Sequence, residues 1–250
     1  KRSAASTYRA QHRGGRGRKG MATKEEDEVW KLFVASTHAT MLFFTTAGRV
    51  FARKVHELPD VGPAARGRAL VNLLQLASDE QVAALLAIRD FGEHENAFLF
   101  FATRKGRVKR TPLRDYTNIR ANGLRAVVIN EGDNLLSVHL TDDRRHVFMG
   151  THQGMGIRFA ESDVRSMGRV SAGVRGINLR AGDFVEEVAT VDPEAENDIL
   201  VVTDLGYGKR TWVNEFRLQR RGGFGVTLIR LSKKNGVVAG IRHVHESDEI

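Results

Sequence analysis

The stretch FLFFATRKGRVKRT, residues 98–111, places two runs typical of β-strands on either side of a tight turn. Phe98–Thr103 and Val108–Thr111 are rich in aromatic and β-branched residues, which favour strands. Gly106 lies between them, and glycine suits a tight hairpin turn because it adopts a positive φ without steric cost. The stretch therefore predicts a β-hairpin.

The same pattern recurs along the chain. Turn glycines followed by a strand candidate stand 48 to 58 residues apart, at Gly48, Gly106, Gly154 and Gly206. An acidic residue followed by an apolar or aromatic one comes after each hairpin, at Glu57-Leu58, Asp115-Tyr116, Asp163-Val164 and Glu215-Phe216. A further acidic residue is expected to open the next strand, at Asp27, Asp79, Asp133 and Asp183. Self-similarity at a period of about 50 residues predicts a repeat architecture.

The repeat predicts a single all-β domain over residues 1–250, with propeller-like blades of four strands each. A basic leading segment, 1–24, precedes units at about 25–78, 79–132, 133–182 and 183–235, and a partial unit, 236–250, is expected to begin another blade. Leu32–Ser36 is a strand candidate, and Val82–Ile88 is assigned to a strand although its period also fits a helix. The fourth strand of each unit is expected before the acidic residue, at Ala69–Leu76, Ala126–Asn130, Gly176–Leu179 and Val226–Leu231.

The composition favours a polyanionic partner. The formal net charge is +9 and the pI is about 10.1, which is typical of proteins that bind nucleic acid or an anionic membrane surface. The absence of cysteine excludes disulfides and thiolate metal sites and is compatible with a reducing cytoplasm. No apolar run is long enough for a membrane helix. Because the chain starts at Lys1, we expect it to be a piece of a longer protein.

The most basic part of the chain contains a short glycine-arginine motif of the pattern Q-x-R-G-G-x-G. Its residues are Gln11, His12, Arg13, Gly14, Gly15, Arg16 and Gly17, and Arg18 and Lys19 follow directly. Arginine presents a planar, permanently charged fork that suits phosphate oxygens, and adjacent glycines allow a close backbone approach. A second copy, Gln219–Gly225, has Phe224 where the first has Arg16. We therefore expect the first copy to be the functional one.

Arginine pairs recur at the same inter-blade position of successive units. They are Arg13 and Arg16, Arg66 and Arg68, Arg120 and Arg125, Arg169 and Arg175, and Arg220 and Arg221. Strand-borne cations are further candidates for DNA contacts: Lys109, Arg110, Arg158, Lys209 and Arg210. Contacts to phosphates position DNA without reading its sequence. Cations spread over several units could also bend a bound duplex, since bending 20–30 base pairs by 40–90° costs roughly 1–6 kcal/mol and needs contacts along the whole curve.

Patterns for other chemistry are weak. His243 and His245 lack a nearby third ligand and are expected to face solvent, so no metal site is predicted. Phe98–Phe101 and Leu42–Phe44 are expected to pack in strand cores. No nucleophile motif is found, and no catalytic residue is predicted.

The chain resembles the C-terminal domain family of the DNA gyrase A subunit over essentially all of its length. The motif Gln11–Gly17 is similar to the family's box, Q-[RK]-R-G-G-[RK]-G, with His12 as the one departure. Also similar are Ala65–Arg68, Val71–Leu74, Gly173–Ile177 and Gly206–Thr211. The resemblance implies a β-pinwheel, a propeller variant whose blades exchange strands, with a basic rim that bends double-stranded DNA into a positive wrap.

The resemblance also implies a setting for this activity. The whole enzyme, a bacterial, cytoplasmic type IIA topoisomerase, would introduce negative supercoils with ATP and Mg²⁺. It would do so as an A2B2 heterotetramer that combines the A subunit, with its N-terminal cleavage domain, with the ATPase B subunit. The domain itself would be non-catalytic, without a cofactor, because Tyr8, Tyr116 and Tyr207 do not match the family's DNA-cleaving motif. Two alternatives stay open: the C-terminal domain of topoisomerase IV, in which the box is usually degraded or absent, and a propeller that binds other proteins.

Overall fold

The structure, a computed structural model, describes residues 1–7, 21–22, 31–62, 65–245 and 248. Within these ranges the chain forms β-strands joined by turns and short 3-10 helices, and the predicted all-β, propeller-like fold is confirmed. The strands are β1 (Thr40–Thr45), β2 (Arg49–Lys54), β3 (Val82–Ile88), β4 (Phe98–Thr103), β5 (Arg107–Pro112), β6 (Leu124–Arg125), β7 (Leu135–Thr141), β8 (His146–Thr151), β9 (Met155–Ala160), β10 (Val174–Arg175), β11 (Val185–Val191), β12 (Asp198–Thr203), β13 (Gly208–Trp212), β14 (Val226–Thr227) and β15 (Val238–Val244).

These strands form four antiparallel sheets in the described chain. Their orders are β3-β1-β2-β6, β7-β4-β5-β10, β11-β8-β9-β14 and β15-β12-β13. The predicted strands around the turn glycines, and the strand at Val82–Ile88, are confirmed. The last strand of each of the first three sheets, β6, β10 or β14, comes from beyond the hairpin of the following sheet. The blades therefore exchange strands, as the resemblance implied.

Each hairpin turn is closed by a threonine and a glycine that recur in every blade. Thr103 ends β4, and its buried Oγ1 accepts a hydrogen bond of 3.1 Å from the backbone N–H of Arg107. Thr45, Thr151 and Thr203 make the same bond to the residue four positions later, at 3.1–3.2 Å. The turn glycine has φ between +76° and +81° in all four hairpins, a conformation that favours glycine.

A second set of glycines opens the exchanged strands. Gly123, Gly173 and Gly225 each have φ +76° and each directly precede β6, β10 or β14. A Cβ on Gly225 would lie 2.2 Å from the carbonyl oxygen of Gly156 in β9, and one on Gly173 would lie 2.3 Å from that of Val108 in β5. The last glycine of the Gln219–Gly225 copy is therefore needed for the close approach of the exchanged strand.

The exchanged strands are two residues long, and the predictions of longer strands at their positions are wrong. Ala126–Asn130 and Gly176–Leu179 lie just after β6 and β10, and only Val226 and Thr227 of Val226–Leu231 form a strand. The reason is that two successive N–H groups then donate to one carbonyl oxygen, that of a turn glycine. Gly176 and Ile177 donate to Gly106 O at 2.8 and 3.3 Å, and this bends the chain out of the ladder.

Two other strand predictions are also corrected. Leu32–Ser36 is not a strand, and Ala69–Leu76 contains a 3-10 helix, Leu70–Asn72. The remaining 3-10 helices are Ala5–Thr7, Val55–Glu57, Gly92–His94, Leu113–Tyr116, Glu161–Asp163 and Val213–Glu215. Four of these contain the acidic residue of an acidic-apolar pair, and the apolar residue is the last of the helix or follows it directly. None of the helical turns in the described ranges has the length and apolar character needed to cross a membrane.

The sequence units and the sheets are out of phase by one strand. β3 lies at the start of the unit 79–132 but pairs with β1 in the first sheet. For the same reason β15 does not begin another blade; it pairs with β12 and completes the inner edge of the fourth sheet.

The hydrophobic core lies between neighbouring sheets, so both faces of the second and third sheets are buried. Leu99 and Phe101 of β4 pack towards the first sheet, against Phe44 and Tyr116. Phe100 and Ala102, which alternate with them, pack towards the third sheet. The prediction of strand core is confirmed for Leu99, Phe100 and Phe101, whereas Phe98 is half-buried. Each fully buried phenylalanine stabilises the fold by about 1.5–3 kcal/mol.

Candidate nucleic-acid interface

The order of strands defines an inner and an outer edge for every blade. β3 lies against β7, β7 against β11, and β11 against β15, so these four strands line the inside of the assembly. β6, β10 and β14 stand at the opposite end of their sheets and form the outer edge. The loops that lead into them, residues 118–123, 168–173 and 220–225, are called the rim loops below.

The rim is continuous from one unit to the next. The backbone N–H of Val128 donates to the carbonyl oxygen of Ser171 at 3.1 Å, and that of Asn178 donates to Gly223 O at 2.8 Å. Each bond joins the segment after one exchanged strand to the next rim loop. Successive rim loops are thereby held at fixed positions along one edge.

Three of the predicted arginine pairs lie on this edge. Arg120, Arg125, Arg169, Arg175 and Arg220 are exposed, and Arg221 is half-buried. Arg221 donates from Nε to the Asp163 carbonyl oxygen at 3.0 Å and from Nη1 to that of Arg175 at 3.1 Å. Arg66 and Arg68 are exposed in the loop before the Leu70–Asn72 helix. The copy Gln11–Gly17, with Arg18 and Lys19, lies outside the described residues.

The arginine that follows the turn glycine holds a rim loop in place. Arg107 donates from Nε to the Ala172 carbonyl oxygen at 3.0 Å and from Nη2 to that of Gly173 at 2.6 Å. Arg49 does the same one blade earlier, with a bond of 2.9 Å to the Asn122 carbonyl oxygen and an ion pair to buried Glu80 at 2.8 Å. Both positioning roles escaped the sequence analysis.

Three strand-borne cations predicted to contact DNA are instead buried, which corrects that prediction. Lys109, Arg110 and Arg158 are 1%, 7% and 8% exposed. Their residue type suggested a surface position, but the rim segment of the next unit covers β5 and β9. A buried charge must be paired or hydrogen-bonded, and each of the three is.

Lys109 joins two rim segments. Its Nζ donates to the carbonyl oxygens of Ala126 and Arg169, both at 2.7 Å, and lies 5.3 Å from the centre of the Phe101 ring. Burial, with a smaller contribution from the positive charge of Arg169, lowers the pKa of Lys109 to about 7. The side chain therefore acts from beneath the rim, on the loop that carries Arg169.

Arg110 and Arg158 occupy the same position of successive blades and bind the 3-10 turn that follows the next hairpin. Arg158 donates to the carbonyl oxygen of Val213 at 2.9 Å and to Oδ1 of Asn214 at 2.7 Å. Arg110 forms an ion pair with Asp143, and its Nη1 lies 3.9 Å from Oε1 of buried Glu161. Burial lowers the pKa of both arginines and raises that of Glu161. These groups fasten one blade to the next.

The start of the chain makes a contact of the same kind with the first blade. Arg2 forms a parallel β-bridge with Asp60, just as Arg110 does with Ser166 and Arg158 with Leu218. Its Nε also donates to the Leu58 carbonyl oxygen at 2.9 Å. Arg2 therefore stands where the second strand of a preceding blade would stand.

In the fourth blade the equivalent cations are exposed, as predicted. Lys209 and Arg210 lie on β13, which has no exchanged strand beside it in the described chain. Arg210 is 3.3 Å from Asp198. Two exposed arginines that the prediction missed, Arg165 and Arg217, each directly follow an acidic-apolar pair. This shared position, directly after the acidic-apolar pair, is the sequence pattern from which both could have been predicted.

The remaining titratable groups lie in structural positions. Tyr116 is buried, donates to the Ala126 carbonyl oxygen at 3.0 Å and has a raised pKa because of its burial. His243 is half-buried, and its Nε2 lies 2.6 Å from Oδ1 of Asn197. The expectation that His243 faces solvent is therefore wrong. No cluster of three or more potential metal ligands occurs among the described residues.

Comparison with known proteins agrees with this architecture. The family model "DNA gyrase C-terminal domain, beta-propeller" matches the chain five times, over residues 1–36, 39–89, 97–142, 145–192 and 197–245. The A subunit of the DNA gyrase of Staphylococcus epidermidis is 42% identical over all 250 residues. The chain spans 28% of that relative's length.

Two solved structures share the fold. The C-terminal domain of a DNA topoisomerase IV is 31% identical, with a TM-score of 0.80 over 92% of this chain and 71% of that one. A DNA gyrase A C-terminal domain is 24% identical, with a TM-score of 0.77 over 97% of this chain and 78% of that one, and this likeness concerns the fold. Because the family model matches nearly the whole chain, blade by blade, the chain belongs to the DNA gyrase C-terminal domain family.

Proposed function

We propose that this chain binds double-stranded DNA along its rim and bends the DNA into a wrap. The observation that carries the proposal is the repetition of exposed arginines on the outer edge of consecutive blades, on rim loops that hydrogen bonds connect to the segment after the preceding exchanged strand. Such cations meet phosphates at intervals along a curve, which is what offsets the cost of bending DNA. The arginine contacts themselves read no bases, because contacts to phosphates position DNA without carrying sequence information.

The wrap is positive and belongs to a larger enzyme. In that enzyme, a bacterial and cytoplasmic gyrase, the wrap presents a DNA segment for strand passage and so directs ATP-dependent negative supercoiling. The cleavage domain that precedes this one in the same polypeptide and a separate ATPase, the B subunit, complete an A2B2 assembly, and ATP and Mg²⁺ act there. The 250-residue domain works without a cofactor of its own and is non-catalytic.

The test is a topological one. Circular DNA is relaxed by a nicking-closing topoisomerase while the 250-residue chain is bound, and the retained writhe is then measured on a gel. Positive writhe that grows with protein concentration is expected. Zero or negative writhe would overturn the proposed wrap. Alanines at Gln11–Gly17 in the full-length polypeptide should abolish negative supercoiling while DNA cleavage continues, and unchanged supercoiling would refute the role given to that motif.

A second candidate is the corresponding domain of topoisomerase IV. The fold likeness to that enzyme's C-terminal domain, at 31% identity, favours it. Under this alternative, the complete enzyme would relax and decatenate DNA without introducing negative supercoils. The supercoiling assay with the unaltered full-length polypeptide therefore separates the two candidates.

A further inference from the structure

The rim carries one aromatic side chain in a place otherwise suited to a cation. Phe224 is 51% exposed at the end of the rim loop 220–225. Exposed Arg220 lies in the same loop, and exposed Arg175 lies beside Gly222, with its Cγ 3.9 Å from a Cβ position there. Phe224 is therefore an exposed phenylalanine on a rim loop that also carries an exposed arginine.

The backbone on both sides of Phe224 is fixed. Gly222 N–H donates to the Gly176 carbonyl oxygen at 2.6 Å, and the Gly223 carbonyl oxygen accepts the bond from Asn178. On the other side, Gly225 is pressed against Gly156, and Val226 pairs with β9. No ring or cation–π partner of Phe224 occurs within the described ranges. The ring therefore projects from a rigid support, which keeps the entropy cost of insertion small.

We propose that Phe224 is an apolar wedge that inserts between neighbouring base pairs of the bound DNA and kinks it. This rests on the proposed binding of DNA to the rim. Phenylalanine is among the side chains that unstack a base step in this way from the minor groove. Insertion removes the exposed ring from water, while Arg220 of the same loop and the other rim arginines contact phosphates.

A wedge predicts a preference for DNA that unstacks easily. Pyrimidine–purine steps are flexible, and a mismatched pair is easier still to unstack. Bending by the arginines alone also favours flexible DNA, so the part of the preference that depends on the Phe224 ring is what reports the wedge. Phe224 therefore biases where the wrap forms, and it marks the place where the DNA curvature is sharpest.

The test compares two 40-base-pair duplexes, one fully paired and one with a central mismatch flanked by 2-aminopurine. The unaltered 250-residue chain should bind the mismatched duplex about fivefold more tightly and raise the 2-aminopurine fluorescence as the base unstacks. Phe224→Ala should lose most of the preference for the mismatched duplex and leave the fluorescence low. Phe224→Leu, which keeps an apolar wedge, should retain part of both effects. Far-ultraviolet circular dichroism and the Tm show that each variant is folded.

Arg220→Ala provides the matched control. It removes one phosphate contact from the same loop, so the affinity for both duplexes should fall together while the fluorescence of the bound state stays high. If Phe224→Ala keeps the mismatch preference and the fluorescence, the wedge is refuted although DNA still binds. If neither duplex binds the unaltered chain, the proposed DNA-binding function itself fails.

Discussion

The guanidinium group of Arg107 donates a 2.6 Å hydrogen bond to the carbonyl oxygen of Gly173, which belongs to the next repeat unit. A second bond, from Nε to Ala172, makes the contact two-pronged. Arg107 follows the turn glycine of its own hairpin, and Gly173 opens the exchanged strand β10. The contact thus links the feature that folds each blade to the loop that carries the rim arginines.

Arg107→Ala should loosen the rim loop 168–173. Two hydrogen bonds from a charged donor are lost, and the free energy of unfolding should fall by about 1–3 kcal/mol. Denaturant unfolding measures this loss, and hydrogen exchange should show faster opening at 168–173. Exposed Arg114 makes a matched control, and Arg114→Ala should change stability by less than about 0.5 kcal/mol. Equal stability of the two variants would contradict the positioning role.

Arg220→Ala should reduce the salt dependence of DNA binding. Each phosphate contact adds about 0.9 to the slope of log K against log salt, and about eight contacts give a total near −7. The variant should therefore lose about one unit of slope, which titrations of DNA binding between about 50 and 200 mM salt would measure. Arg89 is exposed just beyond the inner strand β3, so Arg89→Ala removes the same charge away from the rim. A similar loss of slope in both variants would place the DNA elsewhere.

Lys109 should make the fold more stable as the pH rises above 7. Burial lowers its pKa from 10.5 to about 7, so between these values the unfolded chain binds a proton that the folded chain does not. Stability then rises with pH by up to about 1.4 kcal/mol per unit, and below pH 7 this contribution is flat because both states are protonated. Denaturant unfolding from pH 6 to 10 should show this rise relative to Lys109→Met. Parallel curves for the two proteins would refute the linkage.

Gly225→Ala should be strongly destabilising. A Cβ there meets the Gly156 carbonyl oxygen at 2.2 Å, and the φ of +76° adds strain, so we expect a loss of about 1–3 kcal/mol or more. Gly240 in β15 has no heavy atom within 4 Å of a Cβ, and Gly240→Ala should be neutral or slightly stabilising. Thermal unfolding compares the two. Equal Tm values would show that the exchanged strand does not need this approach.

The hairpins and the repeat could be predicted from the sequence because they depend on neighbouring residues. A strand-forming run, a threonine and a glycine within about ten residues suffice to close each turn, as at Phe98–Arg107. The exchanged strands were harder to place. Their length depends on the carbonyl oxygen of a turn glycine in another unit, as at Gly106, which receives two N–H groups and ends the ladder.

The arginine pairs of the rim could be proposed from the repeat alone, since from Arg66 onwards each pair lies 14–21 residues after the turn glycine of its unit. The two-pronged contact of Arg107 could not, because its partners lie 65 and 66 residues away. The exposure of Phe224 could not be predicted from the sequence either. It depends on the backbone contacts that hold the Gln219–Gly225 copy in place.

Arg158 and Arg210 separate what the sequence determines from what the tertiary structure determines. They hold the same position in successive hairpins, so the sequence by itself determined a cation on the second strand of both blades. Arg158 is buried and Arg210 is exposed. The tertiary structure alone decided this, because β14 and the turn at Val213–Glu215 cover β9, whereas nothing in the described chain covers β13 in the same way. The residue type supplies a basic side chain at this position, but its access to DNA depends on what the following unit places over it.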